Sequence, residues 1–285
     1  MRRFKAHFGR RSGRRRFGAV FLGVFAALWL VIEPLGLFFP HAFDQGWVGY
    51  LGIVGASLLT AAYIARPRDS VSRALPPTDV VVSIQVGDVL AQSGNVVVGV
   101  NDAFDTQFED EVISQASVQG QLLQRVFEGD RARLDHDIAA SLTAAVPSID
   151  TEKTFGKDRR YPIGTVAVVR HGQARYFLPA FTTMSKTLPA HVQASIEDLE
   201  IALAKTWQII NAAGQKEPVH VPVIGSHLAR LGLSRTLLAQ MIVLSFIAAT
   251  RRGGPSSLTV WVSPQDCEVV DFIVLDEWLR GLCAA

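Results

Sequence analysis

The segment 224–234, IGSHLARLGLS, has the composition of a loop that binds an anion. Gly225 and Gly232 allow the backbone to come close to a ligand, and Ser234 is suited to cap the helix that is predicted to follow. The free N–H groups at the start of such a helix attract negative charge. The segment lacks the Lys-Ser/Thr pair of a Walker motif and the spacing of a dinucleotide fingerprint, so an ordinary glycine-containing turn is the alternative.

Two further loops carry polar residues directly after predicted strands. Gly87, Asp88 and Val89 follow the alternating strand 80–86, and the segment 100–106, VNDAFDT, follows a short β-branched strand. In open α/β sheets, ligands bind outside the carboxyl ends of the strands, on loops that lead into helices. All three loops therefore lie where such a sheet binds its ligand.

Alternating strand and helix patterns predict the sheet that positions these loops. Strands are predicted at 80–86, 95–100, 164–169, 176–181, 219–224 and 258–262, and helices at 118–127, 131–145, 189–213 and 234–250. This alternation is typical of an α/β fold with a parallel or mixed sheet. The apolar stretch 237–249 rises only about 20 Å, which predicts a buried core helix and not a membrane span.

Two long apolar segments precede these elements and predict membrane spans. Residues 17–39 are interrupted only by Glu33 and Pro34, and residues 47–65 contain no charge. About 20 apolar residues suffice to cross roughly 30 Å of hydrocarbon, so residues 17–65 are interpreted as a transmembrane helical hairpin. A cleaved signal peptide is the alternative for the first segment, although its apolar core is long for one.

The distribution of basic residues predicts the orientation of this hairpin. The arm 1–16 holds eight of the chain's 28 Lys and Arg residues and no acid, Arg66 and Arg68 follow the second span, and the link between the spans has neither. The positive-inside rule then places both termini in the cytoplasm, in a multi-pass protein of the cell inner membrane. Glu33 falls near the outer interface, where it reaches headgroup water or, alternatively, lines a pore or a helix contact.

The rest of the chain is predicted to form a polar linker and one cytoplasmic domain. Residues 66–79 contain three prolines and are interpreted as the linker, and residues 80–285 suffice for a domain with its own core. An excess of acidic residues in this domain argues against nucleic acid as a partner. Two cysteines and seven scattered histidines exclude a disulfide scaffold and predict no metal site.

In combination, the loops and strands resemble one known family. The run VSIQVGDVLAQSGNVVVGVNDAFDT is similar to the opening of a macro domain, with its strand, Gly-Asp-Ile/Val turn and Asn-containing loop. The run VHVPVIGSHLARLGLSRTLLAQMIVLSFIAA resembles the later strand, phosphate loop and helix of that domain. With two spans before it, the chain resembles the membrane-anchored macro-domain effectors of Thoeris antiphage defence. The implied fold is a three-layer α/β/α domain with a mixed sheet.

The resemblance implies which residues bind the ligand. Macro domains bind ADP-ribose and its derivatives. The acid of their Gly-Asp turn accepts from the adenine amino group, the Asn of the next loop contacts the distal ribose, and the phosphate loop holds the diphosphate. Asp88 matches the first role and Asn101 the second. The complete set of predicted binding residues is Asp88, Val89, Asn101, Asp102, Phe104, Gly225, Ser226, His227, Leu228, Leu231 and Gly232. An ADP-ribose derivative is the expected ligand, and no other cofactor is expected.

One departure from the family bears on catalysis. Macro enzymes that cleave ADP-ribose esters typically follow the Asn loop with a glycine run, whereas here no glycine occurs between Thr106 and Gly120. The sequence therefore predicts a protein that reads its ligand and has no catalytic residues. Asp102, Asp105 and residues 109–111 are acidic, which indicates either a solvated helix start or recognition of a positively charged substituent such as imidazole.

The resemblance also implies a membrane effector that a nucleotide switches on. In this hypothesis, a partner enzyme related to Toll/interleukin-1-receptor domains makes an ADP-ribose-derived signal, such as histidine–ADP-ribose, and the macro-like domain senses it. Binding reorganises a homo-oligomer, and the hairpin then disrupts the lipid bilayer and arrests the infected cell. A membrane-tethered ADP-ribosyl hydrolase and a non-signalling ADP-ribose-binding or interaction domain are the alternatives.

Overall fold

The chain divides into two compact units, Met1–Asp69 with Asp271–Val274 and Ser70–Val270 with Leu275–Ala285. The computed structural model describes residues 8–38, 46–76, 80–187, 191–224, 232–250 and 254–283. Most of the predicted phosphate loop, residues 225–231, therefore lies outside the described residues.

The first unit contains two long apolar helices, α1 (Arg11–Phe38) and α2 (Gly46–Ile64). They pack against each other, and the ring of Tyr50 lies 6.2 Å from that of Phe25 and 6.4 Å from that of Trp29. By length and composition, both are candidate membrane spans, over Arg11–Leu35 and Trp47–Ile64. Much of their apolar surface is exposed.

Among the described residues, the second unit contains eleven strands. They are β1 (Ser70–Leu75), β2 (Val80–Val86), β3 (Gly94–Val97), β4 (Val100–Asn101), β5 (Ser148–Ile149), β6 (Arg159–Arg160), β7 (Val166–His171), β8 (Ala174–Met184), β9 (Val192–Gln193), β10 (Val219–Pro222) and β11 (Ser257–Val262). Nine of them form one sheet with the strand order β1-β2-β11-β10-β3-β8-β4, and β7 and β9 also pair with β8. β5 and β6 form a separate hairpin.

The sheet is mixed, and the carboxyl ends of its parallel strands share one edge. β2, β11, β10, β3, β8 and β4 run parallel to their neighbours in this order, whereas β1, β7 and β9 pair antiparallel. The carboxyl ends of the parallel strands therefore lie at the same edge. The loops after β2, β4 and β10, which carry the predicted binding residues, all begin there.

Helices cover both faces of the central strands. The second unit contains α3 (Val118–Gln121), which continues into a π-helical turn (Leu122–Val126), α4 (Arg131–Ser141), α5 (Ile196–Ala213) and α6 (Arg235–Thr250). It also contains most of α7 (Phe272–Cys283), whose residues up to Val274 are assigned to the first unit. α4 packs on β7, α5 on β8 and α6 on β11. Tyr176 and Leu178 of β8 join the core cluster that includes the α4 residues, and the alternating Phe177 is also completely buried. The fold is thus the predicted α/β architecture with a mixed sheet.

Three segments differ from the sequence-based expectation. The predicted strand 95–100 is two strands, β3 and β4, with residues 98–99 between them. Part of the predicted linker 66–79 is strand β1, which pairs with β2 from Ser70 to Leu75 and buries Val71 and Leu75. The three prolines of the segment 66–79 suggested a linker, but all of them lie outside the strand. The predicted helix 189–213 begins only at Ile196, because Ser195 and Asp198 form a capping box there.

Candidate functional site

Asp88 lies in the turn after β2, where it caps the short 3₁₀ helix Val89–Ala91. Its Oδ1 accepts a hydrogen bond from the Leu90 amide at 3.0 Å, and its Oδ2 forms an ion pair with Arg125. The Asp88 side chain is 40% exposed, so a ligand can reach the carboxylate. Val89 is buried in the core, which leaves only its backbone for a ligand.

Trp261, which the sequence did not single out, supports this turn from β11. A Cβ on Gly87 would collide with Cζ3 of the indole, so the ring occupies the space that the glycine leaves free. The indole Nε1 donates to Nδ1 of His220 at 3.2 Å, which requires an unprotonated Nδ1. Burial lowers the pKa of His220, while a hydrogen bond with the Ser93 backbone acts in the opposite direction. A neutral imidazole therefore holds the ring beside the Asp88 turn.

Asn101 braces the loop after β4. Its Oδ1 accepts from the amides of Ala103 and Asp105, both at 3.1 Å, and its Nδ2 donates to Asp105 Oδ2 at 3.1 Å. The side chain is almost completely buried. Because both acceptor positions of the amide oxygen are used, only the second Nδ2 hydrogen remains for the predicted contact with a ribose.

The side chains of Asp102 and Phe104 are buried and have partners within the protein, and their contact with a ligand stays a prediction. Asp102 Oδ2 is 2.7 Å from Arg160 Nη1, and its Oδ1 accepts from the Met184 amide at 2.9 Å. The ring of Phe104 meets that of Tyr161 edge to face at 5.3 Å. Asp102 and Phe104 are only 5% and 1% exposed. The structure gives both side chains a packing role within the loop.

Basic residues of the segment 148–160 pair with Asp102 and Asp105, two members of the acidic group that the sequence associated with a cationic substituent. Lys153 pairs with Asp105 at 2.9 Å, and both side chains are completely buried. Arg160 bridges Asp102 and Asp150, at 2.7 Å each. Burial alone would lower the pKa of Arg160, but these two carboxylates raise it above its ordinary value. Asp102 and Asp105 are therefore already paired with basic side chains of the protein, and recognition of a cationic substituent by this acidic group stays a prediction.

The basic partners were missed because their positions along the chain are remote. Asp105 and Lys153 are separated by 48 residues, and no local pattern links them. Lys157 adds two further contacts, from its Nζ to the Phe104 carbonyl at 2.6 Å and to Asp135 at 2.5 Å. The abundance of lysine and arginine in the segment 153–160 was the available signal.

The beginning of α6 completes the described part of the edge. Ser234 caps this helix as predicted, since its Oγ accepts from the Leu237 amide at 3.2 Å. Gly232 has a φ of +66°, a conformation that suits glycine. The other predicted phosphate-loop residues, Gly225, Ser226, His227, Leu228 and Leu231, fall outside the described residues. In the described part of the chain, no three His, Cys, Asp or Glu side chains are grouped to bind a metal ion.

The mixed sheet, its order of strands and the loops at its carboxyl edge define a macro-domain α/β fold. The family model described as "Thoeris protein ThsA, Macro domain" matches residues 82–263, which is more than half of the chain. The chain therefore belongs to this family.

The individual relatives share between 9% and 26% of their residues with this chain. The Thoeris protein ThsA of Bacillus amyloliquefaciens (strain Y2) is 26% identical over 209 residues, which cover 70% of this chain and 68% of the relative. A mutant macrodomain of Oceanobacillus iheyensis is 14% identical with a TM-score of 0.49, over 74% of this chain and 94% of its own. A Trypanosoma brucei macrodomain in complex with ADP-ribose is 9% identical with a TM-score of 0.45, over 70% and 68%.

Proposed function

We propose that the macro domain binds an ADP-ribose-derived nucleotide at the carboxyl edge of its sheet and acts as a sensor in Thoeris defence. The observation that carries this proposal is the family match over residues 82–263, which includes both the Asp88 turn and the phosphate loop. The exposed carboxylate of Asp88 is available to the amino group of adenine. The N-terminus of α6 is suited to a diphosphate, because the first N–H groups of a helix attract anions.

We propose that the domain reads this ligand without cleaving it. Thr106, which follows the Asn101 loop, is buried, and its hydroxyl donates to Asp135 at 2.7 Å. Asp105 is engaged by Lys153 and by the Lys157 amide. These contacts leave neither side chain free to position an attacking water molecule. Release of free ADP-ribose from an ADP-ribosylated substrate would contradict this part of the proposal.

The connection between the sensor and the candidate spans is short. Residues 65–69 join the end of α2 to the first residue of β1, and β1 is hydrogen-bonded along its length to β2. β2 in turn ends at the Asp88 turn. We infer that a ligand which shifts this turn also acts on the strand that follows the second helix in the chain. The ligand must bind the active arrangement more tightly than the resting one, since otherwise no population shifts.

In the complete proposal, a Toll/interleukin-1-receptor-type enzyme supplies the signal, for which histidine–ADP-ribose is a candidate. The signal reorganises a homo-oligomer of the chain at the inner membrane, where both termini face the cytoplasm. The two helices then disrupt the lipid bilayer. The Thoeris family match supports a nucleotide signal, and the two apolar helices support a membrane location.

Dye release from vesicles that contain the full chain tests this function. We expect release after addition of histidine–ADP-ribose or a related derivative, and none after addition of NAD. Asp88→Ala should abolish the response. Asp130→Ala is the matched control, because Asp130 also caps a helix but lies at the start of α4. Vesicles that stay sealed while the nucleotide is bound would contradict a membrane effector.

A further inference from the structure

The π-helical turn Leu122–Val126 brings an arginine to the candidate site. The Phe127 amide bonds to the Leu122 carbonyl at 3.1 Å, five residues back, while Leu122 and Leu123 are buried in the core. Turns of this kind are rare, and they occur frequently at functional sites. Arg125 lies on the exposed side of the turn and reaches across 37 residues of sequence to Asp88.

The carboxylate of Asp88 is held by a different donor at each oxygen. Nη2 of Arg125 contacts Oδ2, and the Leu90 amide contacts Oδ1. The guanidinium is itself oriented by Gln121, whose Oε1 accepts from Nη1 at 3.0 Å. Two donors on opposite oxygens fix the rotation of the carboxylate. Each oxygen keeps a further lone pair that can accept a hydrogen bond.

We propose that Arg125 is a positioning residue that orients Asp88 towards the 6-amino group of a purine and thereby determines the base specificity of the site. This inference rests on the proposed function, in which Asp88 accepts from adenine. An oriented carboxylate accepts a hydrogen bond from a 6-amino group and thereby raises the affinity for adenine. It lowers the affinity for a purine with a 6-oxo group, because two hydrogen-bond acceptors then face each other without a proton between them. When the carboxylate rotates freely, this difference becomes smaller.

The exposure of the pair allows its binding role to be separated from folding. Arg125 and Asp88 are 47% and 40% exposed, and exposed ion pairs contribute little to stability. Arg131 provides a matched control, since it is also 47% exposed and pairs with an exposed acid, Glu109, at 2.7 Å. Removal of either arginine should therefore leave the fold unchanged.

The test is calorimetric titration of the full chain in detergent with ADP-ribose and with its 6-oxo analogue, inosine diphosphate ribose. We expect the wild type to prefer ADP-ribose. Arg125→Met should lower the affinity for ADP-ribose by about tenfold and leave that for the analogue nearly unchanged. Arg125→Lys should restore part of the preference, and Arg131→Met should alter neither affinity.

The possible outcomes separate this inference from the proposed function. A wild type that binds neither nucleotide would overturn the role of Arg125, and the proposed function would be overturned with it only when histidine–ADP-ribose also fails to bind. A wild type that prefers ADP-ribose, together with an Arg125→Met variant that keeps the same preference, would overturn only the role of Arg125. If Arg125→Met lowers the affinity for both nucleotides equally, that role is overturned as well. Arg125 would then contact a phosphate or support the structure generally, and neither effect depends on the substituent at position 6 of the purine.

Discussion

Lys153 Nζ lies 2.9 Å from Asp105 Oδ2, and both side chains are completely buried. Asp105 Oδ1 also accepts from the Lys157 amide at 2.6 Å, and Asn101 Nδ2 contacts Oδ2 at 3.1 Å. These bonds join the segment that contains the β5–β6 hairpin to the loop after β4. The buried Lys153–Asp105 ion pair is therefore one of several contacts that hold the loop after β4 in place.

Removal of one partner of this pair should strongly destabilise the domain. Lys153→Met leaves the charge of Asp105 buried without its main counterion, a change that typically costs about 3–5 kcal/mol. Denaturant unfolding measures this loss. The control is Arg131→Met, because Arg131 is 47% exposed and pairs with the exposed Glu109, so little change is expected. Equal stabilities for the two variants would show that the buried pair is unimportant.

Gly156 should tolerate a methyl group less well than Gly129. Both have positive φ angles, +70° and +81°, for which an L-residue costs about 1–2 kcal/mol. A Cβ at Gly156 would also collide with Asp105 Oδ1, whereas Gly129 has nothing within 4 Å. In thermal unfolding, Gly156→Ala should therefore lower the midpoint further than Gly129→Ala. Similar midpoints would mean that the Asp105 contact does not restrict this position.

Gly87 and Trp261 should be energetically coupled. Gly87→Ala forces the indole to move, and such overpacking typically costs about 1–3 kcal/mol. In a Trp261→Leu background the new methyl group finds space, so the same substitution should cost less. A double-mutant cycle on the free energy of unfolding measures this coupling. Additive effects would show that the ring does not pack on Gly87 in solution.

The pH dependence of stability should contain a contribution from His220. Burial lowers the pKa of this residue in the folded state below the ordinary value of 6.5, so below that pH the unfolded chain binds more protons. The contribution is complete above pH 6.5 and is lost as the pH falls through the region between the unfolded and folded pKa values. His220→Gln should weaken this dependence between about pH 7.5 and 5.5. An unchanged profile would contradict the assignment.

Sequence patterns predicted the elements whose structure is set by residues close together in the chain. The alternating residues 80–86 are β2, and Ser234 caps α6. β1 was missed because its sequence, SVSRAL, contains only two buried residues and becomes a strand through its pairing with β2. Most of the candidate site depends on such distant partners. The chain position of Asp88 was predictable, but its contact with Arg125 was not, since it depends on the π-helical turn.

The most direct test of the central claim is calorimetric titration of the full chain in detergent with ADP-ribose, histidine–ADP-ribose and NAD. We expect saturable binding of an ADP-ribose derivative, and weaker binding of that derivative after Asp88→Ala but not after Asp130→Ala. The absence of binding for all three nucleotides, from protein that unfolds cooperatively, would contradict a nucleotide-sensing function for this domain.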